Sequence, residues 1–526
     1  MDINKINKMV GTESVTYEGG KAYKLSLKEE VAEFFSLGLL RGTFYQTEED
    51  VLKNARDIFE KALAECPEFA TKAAIYGNNV NSLKLVPMIW LAYVSTLDDK
   101  TLFKTAFSRI IRNPGMLHSF MELVRKSDIR KGLGRSIKKA MNDWMKDRLN
   151  DYQVSRNKNK LSEIIKVTRP YFKDVNFQNY MRYIAKDEIT FERAQCLKEV
   201  IDAISSGVYG DVEAQKVTKH RLQLEELKHS TKALKGEDKK RLYKDMYTSL
   251  NYAALVLNLV ALERVYATKT QKVSKYSPSR GYFESTAVVE TEIPDDVISL
   301  VVERLKDVNM YRKSNMLPFT LMNAEKMVST PEFKIAIGDM FKLAAREAFN
   351  IPENVELFMA IDTSGSMTSE MVNDNLTAAD VADIFGGMIK KAHPNTDTVA
   401  VASNCKRVNL KAQNDIFQMA SQIGNTDVGY GTEFEKIMPF YKGQKYTILI
   451  TDSMQADDLE SKWLRDKNRP KDAKLIVWQL TAYGLKISKN PSIIYLCGYS
   501  DRLLSLVKTI IEDKGTQMDE IEKIKL

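Results

Sequence analysis

The sequence predicts two architectures in series: a HEAT-like α-helical solenoid over residues 1–350, then an α/β doubly wound domain over residues 351–526. Three observations predict them. Before residue 350 apolar residues recur at three- and four-residue spacing, and short turn-rich breaks separate the segments. After residue 350 short continuous apolar runs alternate with amphipathic stretches. With 526 residues, 44% hydrophobic and 28% charged, the chain is too apolar to be disordered and too polar to be a membrane protein.

Thr47-Glu48-Glu49-Asp50 reads as an N-cap and an acidic first turn. Behind it Val51, Leu52, Ala55, Ile58, Phe59, Ala62 and Leu63 form one apolar stripe. Similar segments follow near 68–77, 84–96, 100–112 and 115–126, with Asn113-Pro114-Gly115 as one of the breaks. Helices with short connections are antiparallel neighbours, so the pattern reads as stacked pairs. There is no strict repeat period, and an irregular all-α domain fits the periodicity too. Ser274–Gly281 reads as a surface loop. The N-terminus, Met1–Lys5, lacks the apolar stretch of a signal peptide, and no run of about 18 apolar residues could cross a bilayer. Four scattered cysteines (Cys66, Cys196, Cys405, Cys497) exclude a disulfide scaffold or zinc ribbon and read as reduced thiols. A soluble cytoplasmic protein is expected.

The net charge of +8 is unevenly placed. Residues 351–526 hold 21 basic and 24 acidic residues, whereas residues 101–180 hold 18 basic and 7 acidic. A concentrated basic surface suits a polyanion, because each neutralised phosphate releases condensed counterions. A solvated lysine-rich helical face is the plainer reading of the same residues. In the helix predicted from Arg135 to about Leu149, Ile137, Met141 and Trp144 share one face. Arg135, Lys138, Lys139, Asn142 and Lys146 point elsewhere. Lys131 precedes that helix, and Arg156-Asn157-Lys158-Asn159-Lys160 follows it. The candidate nucleic-acid contacts are Lys131, Arg135, Lys138, Lys139, Arg156, Lys158 and Lys160, with the asparagine amides able to join them.

In the C-terminal part, Val355–Ile361, Thr398–Ala402, Tyr446–Thr451, Lys474–Leu480 and Ile493–Leu496 read as strands. Thr377–Ala392 and Asp501–Ile511 read as helices between or after them. Ligands of such sheets bind beyond the carboxyl ends of the strands. The first strand runs into Asp362-Thr363-Ser364-Gly365-Ser366-Met367, presenting three oxygen donors on one tight loop. Gly429-Tyr430-Gly431-Thr432-Glu433 offers the Thr432 hydroxyl, and Thr451-Asp452-Ser453 offers Asp452. Hard oxygen donors of this kind suit Mg²⁺ or Mn²⁺. A serine-rich turn capping the next helix would explain the first loop but not the other two.

Asp-x-Ser-x-Ser, Thr and Asp on three successive strand-end loops resemble the metal-ion-dependent adhesion site (MIDAS) of a von Willebrand factor A (vWA) domain. The resemblance implies Ser364, Ser366 and Thr432 as hydroxyl ligands, with Asp362 and Asp452 acting mainly through water. Enzymatic alternatives lack their residues. The position two after Asp362 is Ser364 rather than a second acid, Gly-x-Ser-x-Gly and the P-loop pattern are absent, and the four histidines are isolated in sequence. The chain is expected not to be an enzyme.

Gly19-Gly20-Lys21-Ala22-Tyr23-Lys24-Leu25-Ser26 with Glu29-Glu30, and Gly42-Thr43-Phe44-Tyr45, resemble the start of the TROVE module. So do Pro67-Glu68-Phe69-Ala70 with Ala73–Tyr76, and Gly134–Ala140 ahead of Trp144. Arg312-Lys313-Ser314-Asn315-Met316-Leu317-Pro318-Phe319 resembles its last repeats. Over nearly its whole length the chain is similar to the Ro ribonucleoprotein family, closest to its bacterial and phage members. The resemblance implies a closed ring of helical repeats with the vWA domain joining its ends. It also implies binding of small structured noncoding RNA (Y-RNA-like) on the outer basic surface and of single-stranded 3′ ends of misfolded RNA in the hole. Further implications are RNA quality control beside an exoribonuclease and a monomer apart from RNA. Two family elements differ here: Trp-Ser-His stands as Asn159-Lys160-Leu161, and Leu257 stands where the family often has Arg. The rival readings are a metal-dependent protein-interaction scaffold with incidental RNA binding, and a metal-dependent phosphohydrolase.

Overall fold

The computed structural model describes residues 13–526 except 39, 41–42, 44, 228, 278–280, 315, 317, 370, 374–375, 412 and 501. Met1–Lys5, Gly42, Phe44 and the Pro278–Arg280 part of the predicted loop therefore lie outside the described residues.

Helices dominate up to Ala348. Thr47 caps the helix Glu48–Glu65: its hydroxyl accepts from the Asp50 amide (3.2 Å) while Asp50 accepts from the Thr47 amide (3.2 Å). Asn113 caps Pro114–Lys126 in the same way, accepting from the Met116 amide at 2.9 Å, with Pro114 at the first helical position, where its missing N–H costs nothing. Between them run Pro67–Asn79, Leu85–Val94 and Thr101–Ile110. Buried Phe35, Phe59, Trp90, Phe103, Phe107 and Phe120 fill the space between these helices, and Trp90 Nε1 donates to the Thr71 hydroxyl at 2.9 Å. Gly134–Arg148 then buries Ile137, Met141 and Trp144, and Trp144 Nε1 donates to the Ile111 carbonyl at 2.7 Å.

The strands, in chain order, are β1 (Glu13–Val15), β2 (Lys21–Lys24), β3 (Ala267–Ser277), β4 (Gly281–Thr291), β5 (Leu357–Asp362), β6 (Met371–Asn373) and β7 (Leu376–Thr377). They continue with β8 (Asp397–Val401), β9 (Cys405–Arg407), β10 (Tyr446–Thr451), β11 (Lys474–Gln479), β12 (Leu485–Lys486) and β13 (Ile493–Cys497). Two strand pairs depart from the all-helical expectation before residue 350: β1 with β2, and β3 with β4. Residues 274–277 belong to β3, which pairs antiparallel with β4 as a long hairpin instead of forming a loop.

The C-terminal sheet has the order β13-β11-β10-β5-β8-β9, parallel throughout except for the antiparallel edge strand β9. Alternation along the strands splits its core. Met359, Ile361, Ile448, Ile450, Ile476 and Trp478 pack toward Phe385 and Ile389 of the helix Ala378–Ala392. Phe358, Ala360, Val399, Val401, Leu449 and Leu475 face Phe434, Ile437 and Trp463 on the other side. Helix Ala378–Ala392 lies so close to β5 that a Cβ on Gly386 would stand 2.2 Å from Ile361 Cδ1.

Both ends of the helical array rest on this α/β domain. At the C-terminal end, the helix Pro331–Ala348 packs on Ala378–Ala392 and on Arg502–Ile511. At the other, β1 and β2 form a three-stranded antiparallel sheet whose third strand is β12. The last helix, Gln517–Glu522, returns to pack on Leu27–Leu37 and Pro67–Asn79. There Gln517 Nε2 reaches the Ser36 hydroxyl (3.1 Å) and the Cys497 carbonyl (2.8 Å). No described helix is long and apolar enough to cross a membrane.

Candidate metal centre and basic groove

The central position of β5, flanked by β10 and β8, brings three loops to one sheet edge. Asp362 ends β5, Asp452 follows β10, and the Gly429–Thr432 loop crosses between them. The Gly365 amide donates to the Tyr430 carbonyl at 2.9 Å, and the Ala456 amide donates to the Thr432 carbonyl at 2.7 Å, so each loop is tied to the next. Asp362, Ser364, Ser366, Thr432 and Asp452 are all buried here, the two carboxylates at 0% exposure. The structure thus gathers all five residues that the loop pattern singled out.

The donors are oriented. Asp362 Oδ1 accepts from the Ser364 amide (2.9 Å) and Oδ2 from the Thr451 hydroxyl (2.6 Å). The Ser364 and Ser366 hydroxyls lie 3.2 Å apart. Asp452 Oδ1 accepts from the Met454 amide at 3.0 Å, while the buried Oδ2 has no hydrogen-bond partner among the described residues. Ser453 next to it holds φ +64°, a left-handed conformation that a non-glycine residue adopts at a cost. Burial, reinforced by the Asp452 charge, pushes the Asp362 carboxyl up to about 7, and burial pushes Asp452 upward as well. Two buried acids, one of them with an oxygen that no described residue satisfies, and three hydroxyls form a hard, oxygen-only donor set. That set fits Mg²⁺ or Mn²⁺ and would exchange the desolvation penalty for coordination.

Residues far away in sequence also reach this edge. Thr451 was hidden as a strand residue, and its hydroxyl orients Asp362. Glu18 and Tyr45 come from the opposite end of the chain. The Tyr45 hydroxyl donates to Glu18 and lies within hydrogen-bonding reach of Ser366, while the Glu18 charge acts on Asp452. Only the Gly19-Gly20 pair hinted at a tight turn there, and nothing in the sequence tied that turn to residue 452.

The predicted basic residues fall into two groups. Arg156, Lys158 and Lys160 line a groove of 830 Å³ with Asn113, Asn150, Asn157 and Tyr152. Lys131, Arg135, Lys138 and Lys139 lie outside it, on and just before the helix Gly134–Arg148. Several of these charges are already engaged. Arg156 donates to Tyr152 (2.6 Å) and Gln223 (3.1 Å), and Lys158 pairs with Asp187 beneath the Tyr183 ring. Lys139 pairs with Asp143 at 3.1 Å. Lys131, Arg135, Lys138 and Lys160 have no carboxylate partner among the described residues. The groove floor is stiffened by the buried bidentate pair Arg193–Glu226 (2.7 and 2.9 Å). Leu257 stands 68% exposed, an apolar side chain facing solvent.

The histidines, isolated in sequence, are not all isolated in space. His118 Nε2 lies 2.6 Å from Glu163, and Glu122 completes a surface cluster with ligand atoms within 4.8 Å of one another.

Comparison with known proteins places this geometry. Residues 356–511 match the family described as the Ro60 vWA domain. The crystal structure of the Ro (RSR) protein of Deinococcus radiodurans superposes with a TM-score of 0.61 at 16% identity, covering 93% of this chain and 100% of that one. No curated protein sequence matches the chain. Residues 356–511 therefore match the vWA domain of Ro60, and the chain as a whole shares the fold of a Ro protein.

Proposed function

We propose that the protein is a non-catalytic ribonucleoprotein component that binds small structured noncoding RNA on the face formed by residues 131–160. The observation that carries this is the groove where Arg156, Lys158 and Lys160 meet four asparagine or tyrosine side chains, beside three further cations (Lys131, Arg135, Lys138) without carboxylate partners among the described residues. Lysine and arginine supply counterion release, and the amides supply base-edge hydrogen bonds. The fold of a Ro protein supports the same reading: the helical array closes into a ring through the vWA domain, and single-stranded 3′ ends of misfolded RNA enter it in RNA quality control alongside an exoribonuclease. The chain works in the cytoplasm, as a monomer apart from RNA.

In the vWA domain Ser364, Ser366 and Thr432 would hold Mg²⁺ or Mn²⁺ directly, with Asp362 and Asp452 through water. When bound, the ion supplies an electrophilic position for an anionic oxygen. The protein orients that position through Thr451 on Asp362 and the Met454 amide on Asp452. A second reading, a scaffold that captures a partner's carboxylate, is favoured by Tyr430, which stands 84% exposed on the middle loop.

The test is binding of a small structured RNA across a salt series. Joint Lys131→Ala, Arg135→Ala, Lys138→Ala and Lys160→Ala lowers affinity at least about tenfold and flattens the log–log salt slope by roughly 3. Unchanged affinity and slope in that variant would remove the assignment. RNA binding lost on Asp362→Ala alone, with the fold intact, would move the RNA site to the vWA domain.

A further inference from the structure

The β1–β2 turn is pressed onto the metal-site edge. Thr16 and Gly20 both donate to the Gln455 carbonyl, the latter from its amide at 3.2 Å, and Gln455 Nε2 donates back to the Lys21 carbonyl at 2.9 Å. Gln455 is three residues beyond Asp452. The approach is so close that a Cβ on Gly20 would stand 2.3 Å from the Gln455 carbonyl oxygen and 2.8 Å from that of Asp457. The turn itself is closed by Thr16 N to Gly20 O (2.8 Å) and Gly19 N to Thr16 O (3.0 Å), with Gly19 at φ +90°.

Glu18 sits at the tip of this turn. Its carboxylate accepts from the Tyr45 hydroxyl. The Tyr45 ring is stacked on Tyr17 (centroids 5.1 Å, planes 8° apart) and held edgewise by Tyr483 (5.8 Å). The Tyr45 hydroxyl, which also reaches Ser366, therefore holds one carboxylate a single hydroxyl away from the three loops. Asp452, on which the Ser366 hydroxyl also acts, keeps its buried Oδ2 without a geometric hydrogen bond among the described residues, an independent sign that this edge suits a cation.

We infer that Glu18 is the carboxylate that completes the metal site in cis, positioned by Tyr45 and by the turn seated on Gln455. This rests on the metal reading of the three loops and deepens it. The position that would otherwise accept a partner's acid is closed by the chain's own N-terminal turn. Bound metal and the docked β1–β2 hairpin then stabilise each other, because each is present in the other's binding state. An external carboxylate gains the position only by displacing Glu18.

The experiment uses the full chain and Mn²⁺, read as loss of the free-ion electron paramagnetic resonance signal, together with hydrogen exchange of residues 13–24. The wild type should bind Mn²⁺, and Mn²⁺ should slow exchange in that segment. Glu18→Gln, at an exposed position where folding is undisturbed, should weaken Mn²⁺ binding by about 10- to 100-fold and remove the Mn²⁺-dependent protection. Acetate should restore affinity to Glu18→Gly and leave the wild type unchanged. Tyr45→Phe should weaken binding less than Glu18→Gln. Wild-type Mn²⁺ affinity in Glu18→Gln would overturn this inference while leaving the metal site standing. Failure of the wild type to bind Mn²⁺ would overturn both.

Discussion

Glu33 lies on the helix Leu27–Leu37 where that helix meets the vWA domain. Its Oε2 accepts from the Gly484 amide at 3.0 Å, and its buried Oε1 has no partner among the described residues. Burial, with the charges of Glu30 and Glu29 adding to it, pushes the carboxyl up to about 8 from 4.5. The folded chain therefore holds a proton that the unfolded chain releases. The associated stability is complete below pH about 4.5 and is lost as pH rises through about 8. Glu33→Gln is expected to flatten this decline, which amounts to several kcal/mol. Urea midpoints at pH 5, 6.5 and 8.5 check it, and equal slopes in both proteins would rule Glu33 out as the source. At this scale the five candidate-site residues that the fold brings to one sheet edge were legible because they lie on strand-end loops, Asp362, Ser364 and Ser366 on a single one. Glu18, Tyr45 and Glu33 were not, since each takes its meaning from contacts more than 300 residues away.

Among the elements, helix caps set stability locally. Thr47→Ala removes the reciprocal bonds with Asp50 and should cost about 1 kcal/mol, seen as a lower urea midpoint at unchanged m-value. Gly386→Ala should cost more, because the new methyl drives the helix Ala378–Ala392 off Ile361 at the centre of the sheet. Elements with a strong internal pattern read clearly from the sequence. Tyr446–Thr451 has its expected limits, and the segment expected near 115–126 is the helix Pro114–Lys126. The strands that escaped notice lack such a pattern. β3 (Thr268, Lys269, Thr270, Gln271, Lys272) is polar on both faces, so apolar alternation could not mark it. β1 and β2 are three and four residues long, and β12, their partner, has two.

For the whole molecule, the decisive contacts are those that fasten the array to the vWA domain at both ends. The final helix is one such fastening: Gln517 is buried between Ser36 and Cys497, while Lys28 and Lys72 hold Glu522 at 3.0 and 3.3 Å. Gln517→Ala leaves the Cys497 amide and carbonyl without this partner and should cost about 1–3 kcal/mol. Lys28→Ala with Lys72→Ala removes only exposed pairs and should cost less than about 1 kcal/mol. Faster hydrogen exchange in residues 67–79 of the first variant, and little change in the second, would separate the two effects. Alternating periods identify the two architectures, yet they carry no information on how one holds the other, because these contacts join distant segments with no shared pattern.

The pairing of β2 with β12 has a consequence for how the protein is made. Thr16 and the Gln455 carbonyl that it contacts are 439 residues apart, so β1 and β2 leave the ribosome long before the segments that hold them. At roughly 5–20 residues per second that interval lasts about 20–90 s. Until it ends, β1 and β2 have an open edge and the helical array has a free end. The newborn chain thus passes through a stage in which the helical array is folded but fastened to the α/β domain at neither end.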